Sequence, residues 1–398
     1  MTSEIMGQKQ KGALTNITKL ALVGFIASLA LAYVSTIWAV YMDSFVNSMA
    51  LVGFISAFLT LVSFLSYFFF IPLIEKKDKP KIYYWSLLAL ALGYILFAIN
   101  TKFYFFILIA SFVAVITTLK ETSFGIIIKD QSSKTKLSKN EGVVFTFINL
   151  AWVLGPLIAG HIASQFGIRL VFVLSALFII MAFLLFRFFN TKDNNIKKKI
   201  DKDFIKNFFG FFKDKERRLA YFIGGGVSLW WVLIYLFVPL FIIRQGLSMS
   251  WIGYFLFAVA IPLVLFEYKF SKLASKKGFK KIFQTGFLIV AVFSFLCFFI
   301  SNIYIILMLL VLASIGMAML EPTTEAYFFD ILEKKEELRY YGPYKTKIGV
   351  NDFIGKILAS SLLIILPFRY IFLLFSLFML IMFFLSSKTK NIIENNLK

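Results

Sequence analysis

Long apolar segments, interrupted by short polar, glycine- or proline-containing breaks, follow one another along the whole chain. A helix needs roughly 20 apolar residues to cross a bilayer, and segments such as 20–41 and 303–320 come close to that length. The pattern predicts about twelve membrane spans. They lie near residues 18–42, 49–73, 82–99, 103–128, 143–165, 168–189, 219–243, 250–270, 282–300, 303–330, 346–366 and 368–386.

The two halves of the chain resemble each other in register. Advancing many first-half positions by 200 reaches a similar residue without a gap. The pairs that keep a glycine or a charge include Gly53 and Gly253, Lys76 and Lys276, Lys77 and Lys277, Glu121 and Glu321, Asp130 and Asp330, Gly155 and Gly355, and Arg169 and Arg369. Six spans per copy begin and end on one side of the membrane, which predicts parallel repeats with a cavity between two six-helix bundles. We place the bundles at 1–189 and 219–398, with a basic linker at 190–218.

Composition agrees with a membrane protein. The sequence is 60% hydrophobic and 16% charged, whereas a soluble domain is about a quarter charged. The net charge of +21 and the 51 phenylalanines would suit nucleic acid only if basic and aromatic residues shared one surface. Here the phenylalanines lie in the apolar segments and the lysines between them. We therefore expect no nucleic-acid partner.

The basic residues also predict the orientation of the spans. Short cytoplasmic loops retain Lys and Arg during membrane insertion. With the N-terminus inside, the basic residues in external turns are Lys102, Arg169, Arg244 and Arg369. We therefore expect a multi-pass protein of the cell membrane with both termini in the cytoplasm and no cleaved signal peptide.

The linker at 190–218 combines a basic cluster with four phenylalanines. Two interpretations stay open for it. It could form an amphipathic helix on the inner leaflet, where basic residues meet anionic lipid headgroups, or it could be a solvated connection between the bundles.

A basic motif follows the second and the eighth spans. Its residues are Glu75, Lys76 and Lys77 in the first copy and Lys276, Lys277 and Gly278 in the second. The loops resemble the Gly-x-Leu-Ala-Asp-Arg-x-Gly-Arg-like motif of the major facilitator superfamily. The leading glycine is absent from both copies, and Ser275 replaces the acid in the second.

Two further features carry the same resemblance. Asp130 and Asp330 stand where the family has an acid at the cytoplasmic end of the fourth span and its repeat. Gly155 and Pro156 open a segment similar to the Gly-Pro-x-x-Gly-Gly motif of many exporters, with Ala159 breaking the pattern. The resemblance implies an all-α membrane protein that transports a small-molecule solute by alternating access, and it favours export. Helix packing is the alternative explanation for these glycines.

Ionisable residues inside apolar spans are costly unless they face water or a partner, so they are natural candidates for function. They are Lys120, Glu121, Glu321, Glu325, Asp352 and Lys356. Glu321 and Glu325 are four residues apart and share a helix face. The resemblance implies that Glu121 and Glu321 face a central cavity from opposite sides; the alternative is that they lie at helix ends.

Asp352 and Lys356 are one helical turn apart and could pair. We expect a structural pair. As a hypothesis, Lys356 exchanges Asp352 for Glu321 or Glu325 as the cavity changes sides, and one of these carboxylates binds a coupling proton in one state.

Aromatic residues near the middle of the first and seventh spans could contact an organic solute. They are Tyr33, Trp38, Trp230 and Trp231. Trp230 and Trp231 point about 100° apart on a helix, so at most one of them faces a cavity fully. Packing is the alternative for each. His161 is the one histidine, so it cannot form a metal site by itself.

Other classes of protein fit the sequence less well. The segment 349–357 superficially resembles a phosphate-binding loop, but it lacks the terminal Ser or Thr and lies in a span. We expect no enzyme activity, cofactor or metal. The partners that we expect are a solute, protons and membrane lipids, with the protein a monomer. A transporter-derived sensor or lipid-handling protein without solute flux is the alternative.

Overall fold

Twelve long helices make up most of the described chain. In this computed structural model, residues 15–132, 137–190, 204–390 and 392 are described. The helices are α1 Asn16–Val46, α2 Met49–Lys76, α3 Lys79–Ile99, α4 Phe103–Asp130, α5 Leu137–Phe166, α6 Ile168–Phe188, α7 Lys215–Arg244, α8 Met249–Lys277, α9 Phe279–Phe299, α10 Ile303–Asp330, α11 Lys334–Ile365 and α12 Arg369–Ser386. Each is long and apolar enough to cross a membrane. The predicted number of spans is confirmed.

Helix ends differ from the predicted spans where polar residues continue a helix beyond its apolar part. α7 begins at Lys215 because the Asp214 side chain accepts a hydrogen bond from the Arg217 backbone N–H at 2.9 Å, which caps the helix. α11 begins at Lys334, well before the predicted 346. Hydropathy identifies the part of a helix that crosses lipid and does not register these polar turns.

The linker contains a short helix, Phe204–Phe211, that packs against α11. Phe211 is fully buried, and its carbonyl accepts a hydrogen bond from Arg217 Nε at 3.1 Å. Arg339 Nε donates to Asn207 Oδ1 at 2.7 Å. The structure therefore has a helix at 204–211, as one of the two interpretations expects. Its contact with lipid stays a prediction, and residues 191–203 lie outside the described part.

α7 is interrupted by one π-helical turn at Leu233–Phe237. Pro239 follows this turn. Because proline has no backbone N–H, the regular series of helical hydrogen bonds is interrupted at this residue. The repeat-related position in α1 is Ala39, and α1 is a regular helix. The two copies therefore differ at this place, and π turns often occur at functional sites.

The described residues form two compact units that do not coincide with the two halves of the repeat. The first contains Ser66–Gly155 together with the described parts of Met1–Val34 and Arg169–Lys199. The second contains the described residues from 204 onward, together with Ser35–Leu65 and Pro156–Ile168. Parts of α1, α2 and α5 thus pack with the C-terminal half. The division into bundles at 189 and 219 remains a prediction.

Within the second unit, α9 packs against α10 and α12, and α8 packs against α10. α9 and α10 approach each other closely at two glycines. A Cβ on Gly316 would lie 2.5 Å from the Gly286 carbonyl oxygen, and one on Gly286 would lie 2.8 Å from Leu320 Cγ. Only glycine fits there, because any side chain would collide with backbone atoms of the neighbouring helix.

Replacing Gly316 by alanine should therefore destabilise the protein. Overpacking of this kind costs about 1–3 kcal/mol, so we expect Gly316→Ala to lower the thermal midpoint in detergent by several degrees. A Cβ on Gly125 meets no atom within 4 Å, which makes Gly125→Ala the matched control. Fluorescence-detected size-exclusion chromatography after heating measures both. Equal midpoints for the two variants would contradict the assigned contact.

Candidate functional site

Glu321 of α10 lies where three helices of the second unit meet. Its Oε2 atom is buried and has no hydrogen-bond partner among the described residues. Trp231, on α7, lies close enough for its indole N–H to donate to the carboxylate. Glu267, on α8, and the Tyr235 hydroxyl, in the π turn of α7, are close enough to act on its charge. We call Trp231, Tyr235, Glu267 and Glu321 the carboxylate site.

Among the described residues, the two carboxylates of this site have no direct cationic partner. No lysine or arginine of the described residues lies within ion-pair distance of Glu321 or Glu267. Lys347 acts on Glu321 only from farther away. A buried charge without a partner is costly in an apolar environment. The site therefore favours a bound cation or proton.

Glu325, one turn along α10, has a different environment. Lys345 Nζ lies 2.6 Å from its Oε1, and Lys347 Nζ lies 3.3 Å from its Oε2. Lys347 is buried and also donates to the Tyr344 hydroxyl at 2.5 Å. The Tyr344 ring stacks on Phe328 with a centroid distance of 3.8 Å. Glu325 is therefore held in an ion-pair network between α10 and α11.

The charged groups around Glu321 and Glu325 do not balance one another. Glu267, Glu321 and Glu325 supply three carboxylates, while Lys345 and Lys347 supply two ammonium groups. With every group ionised, the cluster keeps one negative charge in excess. One proton or one monovalent solute cation would neutralise it.

Asp352 and Lys356 of α11 form the pair that their spacing suggested, with 3.9 Å between Nζ and Oδ2. Lys356 also donates a shorter hydrogen bond of 2.7 Å to Thr60 Oγ1 of α2. No ion pair joins Lys356 to Glu321 or Glu325 in this structure. The exchange of partners by Lys356 therefore stays a prediction.

The repeat mate of Glu321 has another environment. Glu121, on α4 in the first unit, is exposed, while its neighbour Lys120 is 5% exposed. Lys120 and Tyr94 lie close enough to Glu121 for its charge to act on them. The symmetric roles implied for Glu121 and Glu321 remain untested, and the two side chains are not in equivalent surroundings.

Of the four candidate aromatic residues, Trp231 is the one that faces the carboxylate site. Trp230 is fully buried in the core of the second unit. Tyr33 is 4% exposed and packs edge-on against Phe178 at a centroid distance of 5.3 Å. Trp38 lies beside Tyr41, with 6.3 Å between ring centroids. Three of the four are thus placed in aromatic or core packing.

Comparison with known proteins identifies the family. The model of the Major Facilitator Superfamily matches residues 20–266 and 252–391. The chain belongs to the major facilitator superfamily. An uncharacterized MFS-type transporter of Methanocaldococcus jannaschii is 23% identical over 257 residues, which are 63% of this chain and 66% of that relative. The match thus spans just under two thirds of the relative's length.

Solved structures of this superfamily show the same fold. A mutant of the peptide transporter POT in complex with alafosfalin superposes with a TM-score of 0.74 and 12% identity, covering 95% of this chain and 94% of that one. A bacterial homologue of the human lysosomal transporter Spinster, in an inward-facing and unoccupied conformation, has a TM-score of 0.72 and 13% identity, covering 94% and 96%. Identities this low support the fold alone.

The superfamily motifs fold differently in the two halves. In the first unit, Lys79 Nζ lies 4.0 Å from Asp130 Oδ2, and both side chains are nearly buried. The second half has Phe279 at the position of Lys79, so Asp330 cannot make the same contact. α8 ends with Lys276 and Lys277.

Gly278, with φ of +85°, terminates α8 in a conformation that favours glycine. Lys77 is exposed, and the side chains of Glu75 and Lys76 lie outside the described part. Gly155 and Pro156 lie in α5. A Cβ on Gly155 would lie 2.6 Å from Ala32 Cβ, so close helix packing accounts for this glycine.

Several residues around Glu321 and Glu325 were not predicted from the sequence. Glu267 is an acid inside a predicted span, and this signal could have identified it. Lys345 and Tyr344 precede the predicted start of the eleventh span at 346, and Lys347 follows it directly, so they were not considered as membrane residues. Tyr235 carried no signal, because its position depends on the π turn.

The contact between Trp231 and Glu321 gives an optical test of the site. Protonating Glu321 removes the charge next to the indole, so we expect tryptophan emission to change as the pH is lowered from about 9 to about 5. Glu321→Gln and Trp231→Phe should each remove this change in the transporter. Trp230→Phe, which alters the adjacent buried indole, should keep it. A change that persists in Trp231→Phe would contradict the assigned contact.

Proposed function

We propose that this transporter moves a small organic solute across the cell membrane by alternating access, with proton movement coupled through Glu321. The observation that supports the proposal is the unpartnered, buried Oε2 of Glu321 next to a second carboxylate, Glu267. Two carboxylates whose charges act on each other in an apolar environment cannot both ionise at low cost, so such a pair tends to keep one proton.

The excess charge of the cluster gives this proton a competitor. A solute with one positive charge would neutralise the same carboxylates as a proton does, and the aromatic rings of Trp231 and Tyr235, with 5.5 Å between their centroids, would attract an organic cation. Proton and solute would then occupy the site in different states, which is the requirement for exchange. We therefore favour a monovalent organic cation over a neutral or anionic solute.

The proposal also includes cytoplasmic termini and transport in the direction of export. The placement of basic residues favours cytoplasmic termini, and the Gly155-Pro156 motif resembles that of many exporters. Because close packing against Ala32 already accounts for Gly155, the motif is modest support for export. A sensor or lipid-handling protein that has lost solute flux is the second candidate, suggested by the missing motif glycines after α2 and α8.

Flux in proteoliposomes tests the coupling. Vesicles containing an internal pH-sensitive dye receive an imposed pH gradient in either direction and a panel of organic cations, zwitterions, anions and neutral solutes. We expect a cationic solute to drive proton movement in the wild type. In Glu321→Gln this movement should fall at least about tenfold, because an amide neither takes up nor releases a proton.

The repeat mate supplies the control. Glu121→Gln removes the corresponding carboxylate of the first half, which is exposed, and should retain most of the coupled flux. Solute flux without proton movement in the wild type would exclude proton coupling. Absence of flux for every solute, in protein that is folded by fluorescence-detected size-exclusion chromatography, would favour the sensor or lipid-handling alternative.

A further inference from the structure

Two helix crossings in the second compact unit are copies of one another under the 200-residue repeat. α2 crosses α11 where Gly53 faces Ser360, and a Cβ on Gly53 would collide with the Ser360 hydroxyl. α8 crosses α5 where Gly253 faces Gly160, and a Cβ on Gly160 would lie 2.8 Å from Gly253 Cα. Gly53 corresponds to Gly253, and Gly160 corresponds to Ser360. Each crossing therefore uses the same two positions of the repeat.

Both crossings lie toward the side of the membrane on which α1 meets α2. We call this side, which the sequence predicts to be external, the outer side. Gly53 is near the start of α2 and Ser360 near the end of α11. Close backbone approach at these places lets neighbouring helices meet without a gap.

A charged contact lies at the same side. Arg244, the last residue of α7, has Nη2 at 2.8 Å from both carboxylate oxygens of Asp43. Its Nη1 donates to Asn47 Oδ1 at 2.7 Å. Asp43 and Asn47 are one turn apart at the end of α1, which Asn47 terminates with φ of +48°. We call this contact the arginine clamp.

The clamp joins corresponding ends of the repeat but is not itself duplicated. Arg244 corresponds to Ser44, and Asp43 corresponds to Ile243. Its charges are partly shielded, with Asp43 13% and Arg244 33% exposed at the side chain. A carboxylate that receives two charge-assisted hydrogen bonds is held more firmly than an ordinary surface pair.

A second polar contact lies deeper along the same crossing of α2 and α11. Thr60 is two turns inward from Gly53, and Lys356 is one turn inward from Ser360. Lys356 Nζ donates to Thr60 Oγ1 at 2.7 Å while staying 3.9 Å from Asp352. The crossing thus continues from the outer side toward a charged pair inside the membrane span.

We propose that these contacts form the outer closure of the transporter, with the arginine clamp as its lock and the Lys356–Thr60 bond as its inner end. Opening toward the outer side separates α1 and α2 from α7 and α11, so it must break both polar contacts. At the glycine crossings the Ser360 hydroxyl has no hydrogen-bond partner among the described residues, so parting the helices there breaks no bond of this hydroxyl. Arg244 and Asp43 therefore set the balance between the closed and the open outer side. This inference rests on alternating access, a part of the proposed function, but not on a solute or on proton coupling.

Distances between spin labels test the closure directly. Gln165, near the outer end of α5, and Ser301, in the outer turn before α10, are both exposed and both belong to the second compact unit. The chain contains one cysteine, Cys297, which is buried. The labelled protein therefore carries Gln165→Cys and Ser301→Cys in a Cys297→Ser background, and double electron–electron resonance in liposomes gives the distance distribution.

We expect Asp43→Asn and Arg244→Gln each to raise the ratio of long to short distances about tenfold or more, as expected for loss of hydrogen bonds to a charged group. The exchange Asp43→Arg with Arg244→Asp should restore the short distances. Asn47→Ala should give a smaller shift in the same direction. Arg169→Gln, which removes an exposed arginine of another outer turn, is the matched control and should give no shift.

An unchanged distribution in both Arg244→Gln and Asp43→Asn would overturn the clamp, as would a charge exchange that leaves the long distances in place. Gly160→Leu tests the crossings separately, because leucine against Gly253 should prevent closure and give long distances even with the clamp intact. Short distances in Gly160→Leu would overturn the closure. A normal response of the labels without any solute flux would leave the closure standing and count against the proposed coupling alone.

Discussion

Close approach between helix backbones is the constraint on which the rest of this structure depends. Where Gly286 meets Gly316, α9 and α10 touch through their main chains, and Leu320 packs onto the same contact. Leu320 directly precedes Glu321, so this packing fixes the turn of α10 that carries the acid. In lipid, hydrophobic attraction between helices is absent, and close packing and polar contacts have to position them. The chemistry of α10 therefore depends on residues that carry no chemistry themselves.

Two glutamates of α10 have different environments because different helices face them. Glu325 faces α11, which supplies Lys345 and Lys347, and it becomes part of an ion-pair network. Glu321, one turn away, faces α7 and α8, which supply an indole and another carboxylate. Glu325 is therefore neutralised within the protein, whereas the Glu321 carboxylate keeps an oxygen without a hydrogen-bond partner among the described residues.

The sequence was sufficient for features that depend on a single segment or on simple register. Apolar length gave the twelve helices, and the repeat indicated the duplicated bundle plan. Acids within apolar segments pointed to Glu321 and Glu325. Other features depend on which helices face each other, and one sequence does not contain that information. Trp230 and Trp231 looked equivalent until packing buried one and directed the other at Glu321. The regrouping of 35–65 and 156–168 with the C-terminal half depends on contacts between distant segments, which neither hydropathy nor the repeat encodes.

The reciprocal crossings, Gly53 with Ser360 and Gly253 with Gly160, have the form of an isologous interface, in which one surface meets a copy of itself. A six-helix half carries both sides of this contact, so two separate halves could have assembled as a symmetric dimer before a single chain joined them. In a single chain the contact is intramolecular, and its two copies need not be identical. The serine at 360 and the unmatched arginine at 244 are changes that a homodimer could not have made on one side only.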